Sequence, residues 1–565
     1  MKKNRLKAAV CALVGLCALF TFAGCGGDVW KEGDPESKVC EVKAVIQGYG
    51  DTWVKEMAKE FNAVYADEGY EVKVTETGYG DAINAVNDMI NPKKCTTDIF
   101  FGFSLIQELM DRSRSVMKKD GVSILEDLSD FYNSPAIGMD KKESGGSILS
   151  RMSPEIKDGI SYNGRQQGFD GLYGVPWQGG TTGWLANPAA LAKFGYTLND
   201  IVTTDKFVAV CDAIAPANPL DKDAVFPIAF GKETGGYWEY VFHTLYSQYE
   251  GAAKYKDFWD CVPESGTTAE NGYTVFENRG IYEALKVIQQ FANLDYAVSG
   301  SLQMEYTAAQ ARVLLGKSVF MSAGDWVYKE MEAHYPDEIA NAVTIKTPVI
   351  SALGVKLNLS GEASHAEDQP CPECDNILAG IVSDVDADIL SDAAIAAKYG
   401  AGVTADKVAV IRASRGYFYS FYSGTLGVIP SYSNAKTVAK LFLKFLYSDD
   451  GMAIYRNETH VDLPIAYVNK PDTSGDPAYL KSISEKVNSS NSQLVSSDAF
   501  KSPLRTLVGL GVFPKEGADA YVYGSLAYSH SRGQASVTAK SVFESNAAYV
   551  KANWGHYLNS AGMGK

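Results

Sequence analysis

The chain has 565 residues, 46% of them hydrophobic and 21% charged, the balance of a globular protein with room for roughly two to four ordinary domains. A formal net charge of −16 argues against nucleic acid as a partner, because phosphate recognition needs clustered Lys and Arg and the body of the chain has no such run. The acidity by itself names no partner.

The first segment reads as an export signal. Lys2, Lys3, Arg5 and Lys7 precede an apolar run from Ala8 to Phe22, and Ala23-Gly24 comes just before Cys25, which is a basic region, a hydrophobic region and a small-residue cleavage site. The run is short of the roughly 20 residues a spanning helix needs. Phe22-Ala23-Gly24-Cys25 resembles a bacterial lipoprotein signal, which implies removal of residues 1–24 and lipidation of Cys25. Residues 25–38 are polar and unpatterned, a tether.

Past the signal six cysteines remain, Cys40, Cys95, Cys211, Cys261, Cys371 and Cys374, an even number in a compartment that permits disulfides. Cys40 opens one strand-like stretch and Cys95 lies just before another, so the two are the favoured disulfide candidates. Cys371-Pro-Glu-Cys374 is half of a zinc motif with no second C-x-x-C or spaced His pair; a local disulfide or two thiols is the favoured reading, and no metal site is expected.

Val42 to Gly48 reads as a strand. Trp53, Met57, Phe61 and Tyr65 then recur every four residues along a helix, and Glu71 to Gly78 reads as a second strand, giving a β-α-β unit. A further helix over 82–90 and a strand at Asp98 to Phe101 make an α/β lobe with a parallel sheet. Such sheets bind ligands beyond the carboxyl ends of their strands. Those ends hold Tyr49, Tyr79 and Phe101, each beside glycine, so these three are candidate ligand contacts.

Farther along, Tyr237 to Tyr249 and Arg279 to Leu294 carry helical faces, the second through Ile281, Leu285, Ile288 and Phe291. Gly316 to Met331, GKSVFMSAGDWVYKEM, is an apolar run that breaks at Gly324-Asp325-Trp326 before a helix. Residues 357–415, with CPEC and the acidic DVDAD (Asp384, Asp386, Asp388), read as an insertion, and the DVDAD as a solvated acidic turn lacking the rest of a calcium loop. Val438, Leu441, Phe442, Phe445 and Leu446 form one more buried helix face.

Taken in order, the lipoprotein signal, GLYGVPWQGGTTGWLANPAALAKFGYT (171–197), AAQARVLLGKSVFMSAGDWVYKEM (308–331) and GTLGVIPSYSNAKTVAKLFLKFLYSDDG (424–451) resemble the family 1 extracellular solute-binding proteins, the lipoprotein receptors of carbohydrate ABC importers. Ala186 stands before Asn187 where most relatives have Tyr. The resemblance implies a two-lobed α/β clamshell, each lobe a mainly parallel sheet flanked by helices and the second lobe helix-rich. Lobe I would comprise 39–176 and 425–462, and lobe II 177–424 and 463–565, with hinges near Val175–Gly180 and Gly424–Pro430. It also implies a monomer, lipid-anchored on the outer face of the cell membrane, which hands a carbohydrate, an oligosaccharide in the first instance, to ABC permease subunits without catalysis or cofactor.

A sugar has apolar C–H faces and a rim of hydroxyls, so its site needs flat aromatics and polar side chains. Trp177 and Trp184 flank the first crossing between lobes, Trp238 opens a helix after Gly235-Gly236, and Trp326 opens another after Gly324; all four are candidate stacking residues. Asp325 either caps the helix that follows it or accepts from a sugar hydroxyl. The sequence holds no H-E-x-x-H, G-x-S-x-G or P-loop lysine motif. A same-fold receptor for a non-sugar solute, or a surface protein or enzyme acting on polysaccharide, stays open.

Overall fold

Cys40, Val42 and Ala44 alternate with outward residues along strand β1 (Val39–Val45) and are buried, the period-2 signature of a sheet packed on one face. The structure, a computed structural model, describes residues 36–45, 48–78, 95–102, 123–166, 171–230, 236–263, 269–362, 368–400, 402–420, 425–496 and 537–561, together with Met89, Asn91, His365, Tyr422, Leu504, Val508 and Met563. The expected helix over 82–90 lies almost wholly outside them.

Strand β1 pairs in parallel with β2 (Glu71–Thr77) and β3 (Ile99–Phe101). Helix α1 (Thr52–Val64) connects β1 to β2 and buries Trp53, Met57 and Phe61, each worth about 1.5–3 kcal/mol if fully removed from water. The sheet continues through β10 (Leu426–Val428) to β4 (Val175–Pro176) in the order β2-β1-β3-β10-β4, with β10 antiparallel to both neighbours.

The second sheet has the order β6-β7-β5-β8, from Phe226–Ile228, Ser318–Gly324, Thr182–Ala186 and Val343–Ile345. Here the expectation of a mainly parallel sheet needs correction. Only β6 and β7 pair in parallel, whereas β5 runs antiparallel to β7 and β8, because the chain enters this sheet along its middle from the other lobe. Every residue of β7 is buried, as a central strand requires. A small parallel pair joins β9 (Tyr417–Tyr419) to β11 (Gln493–Val495).

Helices α2 (Gly236–Glu250), α3 (Arg279–Phe291) and α4 (Tyr306–Leu314) pack with this sheet, and α5 (Val327–Met331) follows β7 directly. The stretch read as an insertion contains α6 (Pro372–Ala387) and α7 (Ala405–Gly416). Asp384 and Asp386 lie within α6 and Asp388 at its end, not in a solvated turn: they pair with Lys398, Arg415 and Arg412 respectively. On the first sheet, α8 (Lys436–Leu446) buries Val438, Phe442, Phe445 and Leu446. The Ser-Asp-Asp-Gly that follows starts α9 (Asp449–Thr459): Ser448 accepts from the Gly451 N–H at 3.0 Å, and Asp449 and Asp450 sit at the positive end of the helix dipole. Helices α10 (Ala478–Asn488) and α11 (Ala539–Ser560) return to the second sheet's side.

The pairing expected for Cys40 and Cys95 is not made. Both are buried thiols; the Cys95 thiol turns to the Thr97 carbonyl at 3.4 Å, while Cys40 sits inside the β1 ladder. No helix among the described residues is long and apolar enough to cross a membrane.

Candidate functional site between the lobes

Residues 177–181 carry the chain from β4 to β5, and 420–425 carry it back from β9 to β10. The two segments lie side by side. The Trp177 N–H donates to the Thr425 carbonyl at 3.2 Å, Thr181 and Ser420 form an antiparallel bridge, and the Ser420 hydroxyl donates to the Gly179 carbonyl. Thr182 Oγ1 adds a bond to the Tyr419 carbonyl at 2.8 Å. Gly180 has φ of 56°, a left-handed conformation that suits glycine at a turn between lobes. The second crossing therefore begins ahead of the expected Gly424–Pro430 and overlaps only its start, since 426–428 already belong to the first sheet.

Beside this pair of crossings lies Asp325, 2% exposed. One carboxylate oxygen accepts from the Thr181 N–H at 2.9 Å and the Thr181 hydroxyl at 2.8 Å, and the other accepts from the Tyr49 hydroxyl. Asp325 thus ties the loop after β1, on the first sheet, to the crossing and to the end of β7. Burial raises its pKa, against the opposing pull of the bonds from Tyr49 and Thr181. It does not cap α5: Trp326 occupies the N-cap and no side chain caps that helix. The approach of the lobes is close here. Gly48 has φ of 76°, and a Cβ on it would stand 3.6 Å from Trp326 Cβ.

From the other side α10 braces the same point. Tyr479 donates its hydroxyl to the Gly324 carbonyl at 2.9 Å, and the buried Lys486 ammonium donates to the Thr182 carbonyl, also at 2.9 Å. Burial lowers the Lys486 pKa to about 8.

Trp326 carries a group of tyrosines. Its ring centroid lies 5.9 Å from that of Tyr237 and 5.7 Å from that of Tyr240, and its Nε1 donates to the Tyr237 hydroxyl at 3.3 Å. Tyr237 stacks on Tyr306 at 4.6 Å and 25°, and Tyr240 on Tyr419 at 5.8 Å and 21°. Ser322 on β7 holds the start of α2 in place through a 2.8 Å bond to the Tyr237 carbonyl. Tyr237, Tyr240 and Tyr306 are partly exposed, while Trp326 beneath them is 6% exposed. Next to this shelf Gln310 donates to Glu330 at 2.8 Å; burial raises the Glu330 carboxyl to about 7, against the opposing effect of that bond. Gln178, wholly buried in the first crossing, has neither amide atom hydrogen-bonded.

The family model described as bacterial extracellular solute-binding protein matches residues 56–467, well over half of the chain. The chain belongs to that family. Among curated protein sequences none matches. In fold, this solute-binding protein is similar to a probable secreted solute-binding lipoprotein from Streptomyces coelicolor, at 12% identity over 91% of this chain and 99% of that one with a TM-score of 0.54. It is similar also to a Streptococcus pneumoniae solute-binding protein in complex with the blood group A-trisaccharide, at 15% identity over 91% and 100% with a TM-score of 0.51. A third is a structure from work on xylan utilisation by Caldanaerobius polysaccharolyticus, at 14% identity over 91% and 100% with a TM-score of 0.54. These likenesses are of fold.

Of the residues singled out in the sequence of this solute-binding protein, Tyr49, Asp325 and Trp326 come together where the lobes meet. Phe101 and Trp177 meet instead in the first lobe's core, where Trp177 stacks on Trp53 at 5.7 Å and 16° and donates Nε1 to the Gly102 carbonyl. Trp184 lies in the second lobe's core, 5.0 Å from Phe207 and 5.4 Å from Phe291, and Trp238 packs against it and Phe230. Phe101, Trp177 and Trp184 are wholly buried, which corrects their expected stacking role: rings enclosed on both faces have none to offer a sugar. Tyr79 and Cys25 lie outside the described residues. The tyrosines of the shelf are not among the residues singled out in the sequence, although Tyr237-Trp238-Glu239-Tyr240 puts two of them beside a candidate tryptophan.

Proposed function

We propose that this solute-binding protein captures a carbohydrate, an oligosaccharide in the first instance, between its two lobes and delivers it to ABC permease subunits without turning it over. The observation that carries the reading is the shelf of partly exposed, stacked tyrosines laid over Trp326 where the two sheets meet. Flat rings suit the C–H faces of a pyranose, and the Tyr237 hydroxyl and Glu330 suit its hydroxyls. Structures of similar fold include complexes with raffinose and the blood group A-trisaccharide, a chitin oligosaccharide binding protein and a receptor with an exclusive preference for β-D-galactopyranose, which supports a carbohydrate ligand.

The lobes divide as 39–176 with 425–462 and 177–424 with 463–565, and they turn on the paired crossings. Tyr49 to Asp325 is then a bond of the closed form, and ligand binding favours closure only by touching both lobes. Export, cleavage before Cys25 and lipidation there would hold a monomer at the outer face of the membrane.

The test is titration calorimetry and small-angle scattering with a panel of oligosaccharides. Binding with compaction is expected, and weaker binding for Tyr240→Ala. A panel in which no sugar binds, or release of new reducing ends from a bound glycan, would overturn the reading.

A further inference from the structure

The helical layer over residues 357–416 holds a cluster that the sequence left incomplete. His365, Cys371 and Cys374 each bring one donor atom within 4.8 Å of the others. Local chemistry explains the gathering. Cys371 is the N-cap of α6, with Pro372 in the first turn, and its sulfur accepts from the Cys374 N–H at 3.2 Å, so the C-x-x-C spacing sets both sulfurs on the opening turn of one helix. His365 supplies the imidazole: its Nε2 lies 3.6 Å from Cys374 Sγ, 3.0 Å from Asn358 Oδ1 and 3.3 Å from Ser360 Oγ.

We propose that His365, Cys371 and Cys374 form a zinc site of two thiolates and one imidazole. Zinc bonds of about 2.3 Å to sulfur and 2.0–2.1 Å to nitrogen, at tetrahedral angles, separate the N and S donors by roughly 3.5 Å. The Nε2 to Sγ distance of 3.6 Å already meets that spacing. The other ring nitrogen, Nδ1, faces Glu362 Oε2 at 3.8 Å, the carboxylate partner that commonly orients a metal-bound histidine. Cys374 is wholly buried, while Cys371 is partly exposed. Cys371 and His365 also line a cavity of about 520 Å³ with Arg279, Glu283, Lys286 and Asp368. The fourth coordination position therefore opens to a polar cavity, where water or an oxygen donor of a solute completes the tetrahedron. Binding is charge-balanced: one Zn²⁺ replaces two thiol protons, which are released to solvent. None of these residues belongs to the tyrosine shelf, so the site stands or falls independently of sugar binding.

The test uses the full chain purified with its thiols reduced. Equilibrium dialysis against Zn²⁺ should give one tightly held ion per chain with two protons released. Co²⁺ substitution should give the thiolate-to-cobalt charge-transfer band, which Cys371→Ser and His365→Ala each abolish. Glu362→Gln should weaken Zn²⁺ binding about 10–100-fold while leaving the band in place at saturation. Because the buried Cys374→Ser variant can fail to fold, the partly exposed Cys371 and His365 decide the matter, with circular dichroism showing each variant folded. A Cys371–Cys374 disulfide mapped by mass spectrometry in protein isolated without reductant, or Zn²⁺ uptake unchanged in folded Cys371→Ser, overturns the proposal.

Discussion

Asp325 and Trp326 are neighbours in sequence and belong to opposite kinds of surface. Around Asp325 every bond is made inside the protein: Thr181 gives it two donors and Tyr49 a third, so the carboxylate has little left for a ligand. Around Trp326 the reverse holds, since Tyr237, Tyr240 and Tyr306 are partly exposed. Residue type alone would have ranked them otherwise, with the aspartate as a hydroxyl acceptor and the tryptophan as the stacking ring. What decides the role is how much of each group's bonding capacity the fold already consumes.

The sharpest way to break that contrast is Asp325→Ala. It leaves the Thr181 N–H and hydroxyl and the Tyr49 hydroxyl without their acceptor in a buried place, at about 1–3 kcal/mol for each donor left unsatisfied, so a loss of about 3 kcal/mol or more is expected. Urea denaturation would show it as a lower midpoint at unchanged slope. A variant of native stability that had lost only ligand affinity would move Asp325 from the hinge to the binding surface.

The same contrast marks how far sequence reading reaches. Helical faces were legible because burial follows the 3.6-residue period: Trp53, Met57 and Phe61 on α1, or Val438, Phe442 and Phe445 on α8, point one way whatever they pack against. The break at Gly324-Asp325-Trp326 was legible as a strand end for a similar local reason. Strand direction in the second sheet was not, because antiparallel pairing of β5 with β7 and β8 joins segments more than a hundred residues apart. Nor could the sequence tell a core tryptophan from a cleft one. Trp184 is closed in by Phe207 and Phe291, both remote in sequence, and Tyr240 stacks on Tyr419, equally remote.

Tyr240→Ala tests the open side of the comparison. An aromatic contact is worth about 0.5–1.5 kcal/mol beyond the area it buries, so sugar affinity should fall about tenfold, a change of about 1.4 kcal/mol, read by calorimetry. Stability should fall less than in Asp325→Ala, because Tyr240 is partly exposed and its removal strands no group of buried donors. Equal losses of stability in the two variants would dissolve the distinction between knot and shelf. Gln178→Met sharpens it from another direction. Among the described residues its amide has no partner, so an apolar replacement of similar length at this wholly buried position should keep or raise the melting temperature by a few degrees and leave sugar affinity unchanged. A drop in melting temperature with affinity intact would instead make Gln178 a structural residue.

The smallest expected effect is in the pH dependence, and the window in which it begins separates the two regions again. Burial lifts Glu330 from the ordinary 4.5 to about 7, so between those values the folded chain keeps a proton that the unfolded chain has released. Stability then falls as pH rises through this window, because the folded state binds more protons there. Below pH 4.5 both states hold the proton and the contribution is complete. Glu330→Gln should flatten this part of the stability profile, read as urea midpoints from pH 4.5 to 7. Asp325, also raised by burial, adds a slope of the same sign that begins lower, above 3.8, and it should survive in Glu330→Gln but vanish in Asp325→Asn. If Glu330→Gln leaves the profile unchanged, the carboxylate beside the tyrosines is ionised and solvated, and the shelf is wetter than its packing on Gln310 implies.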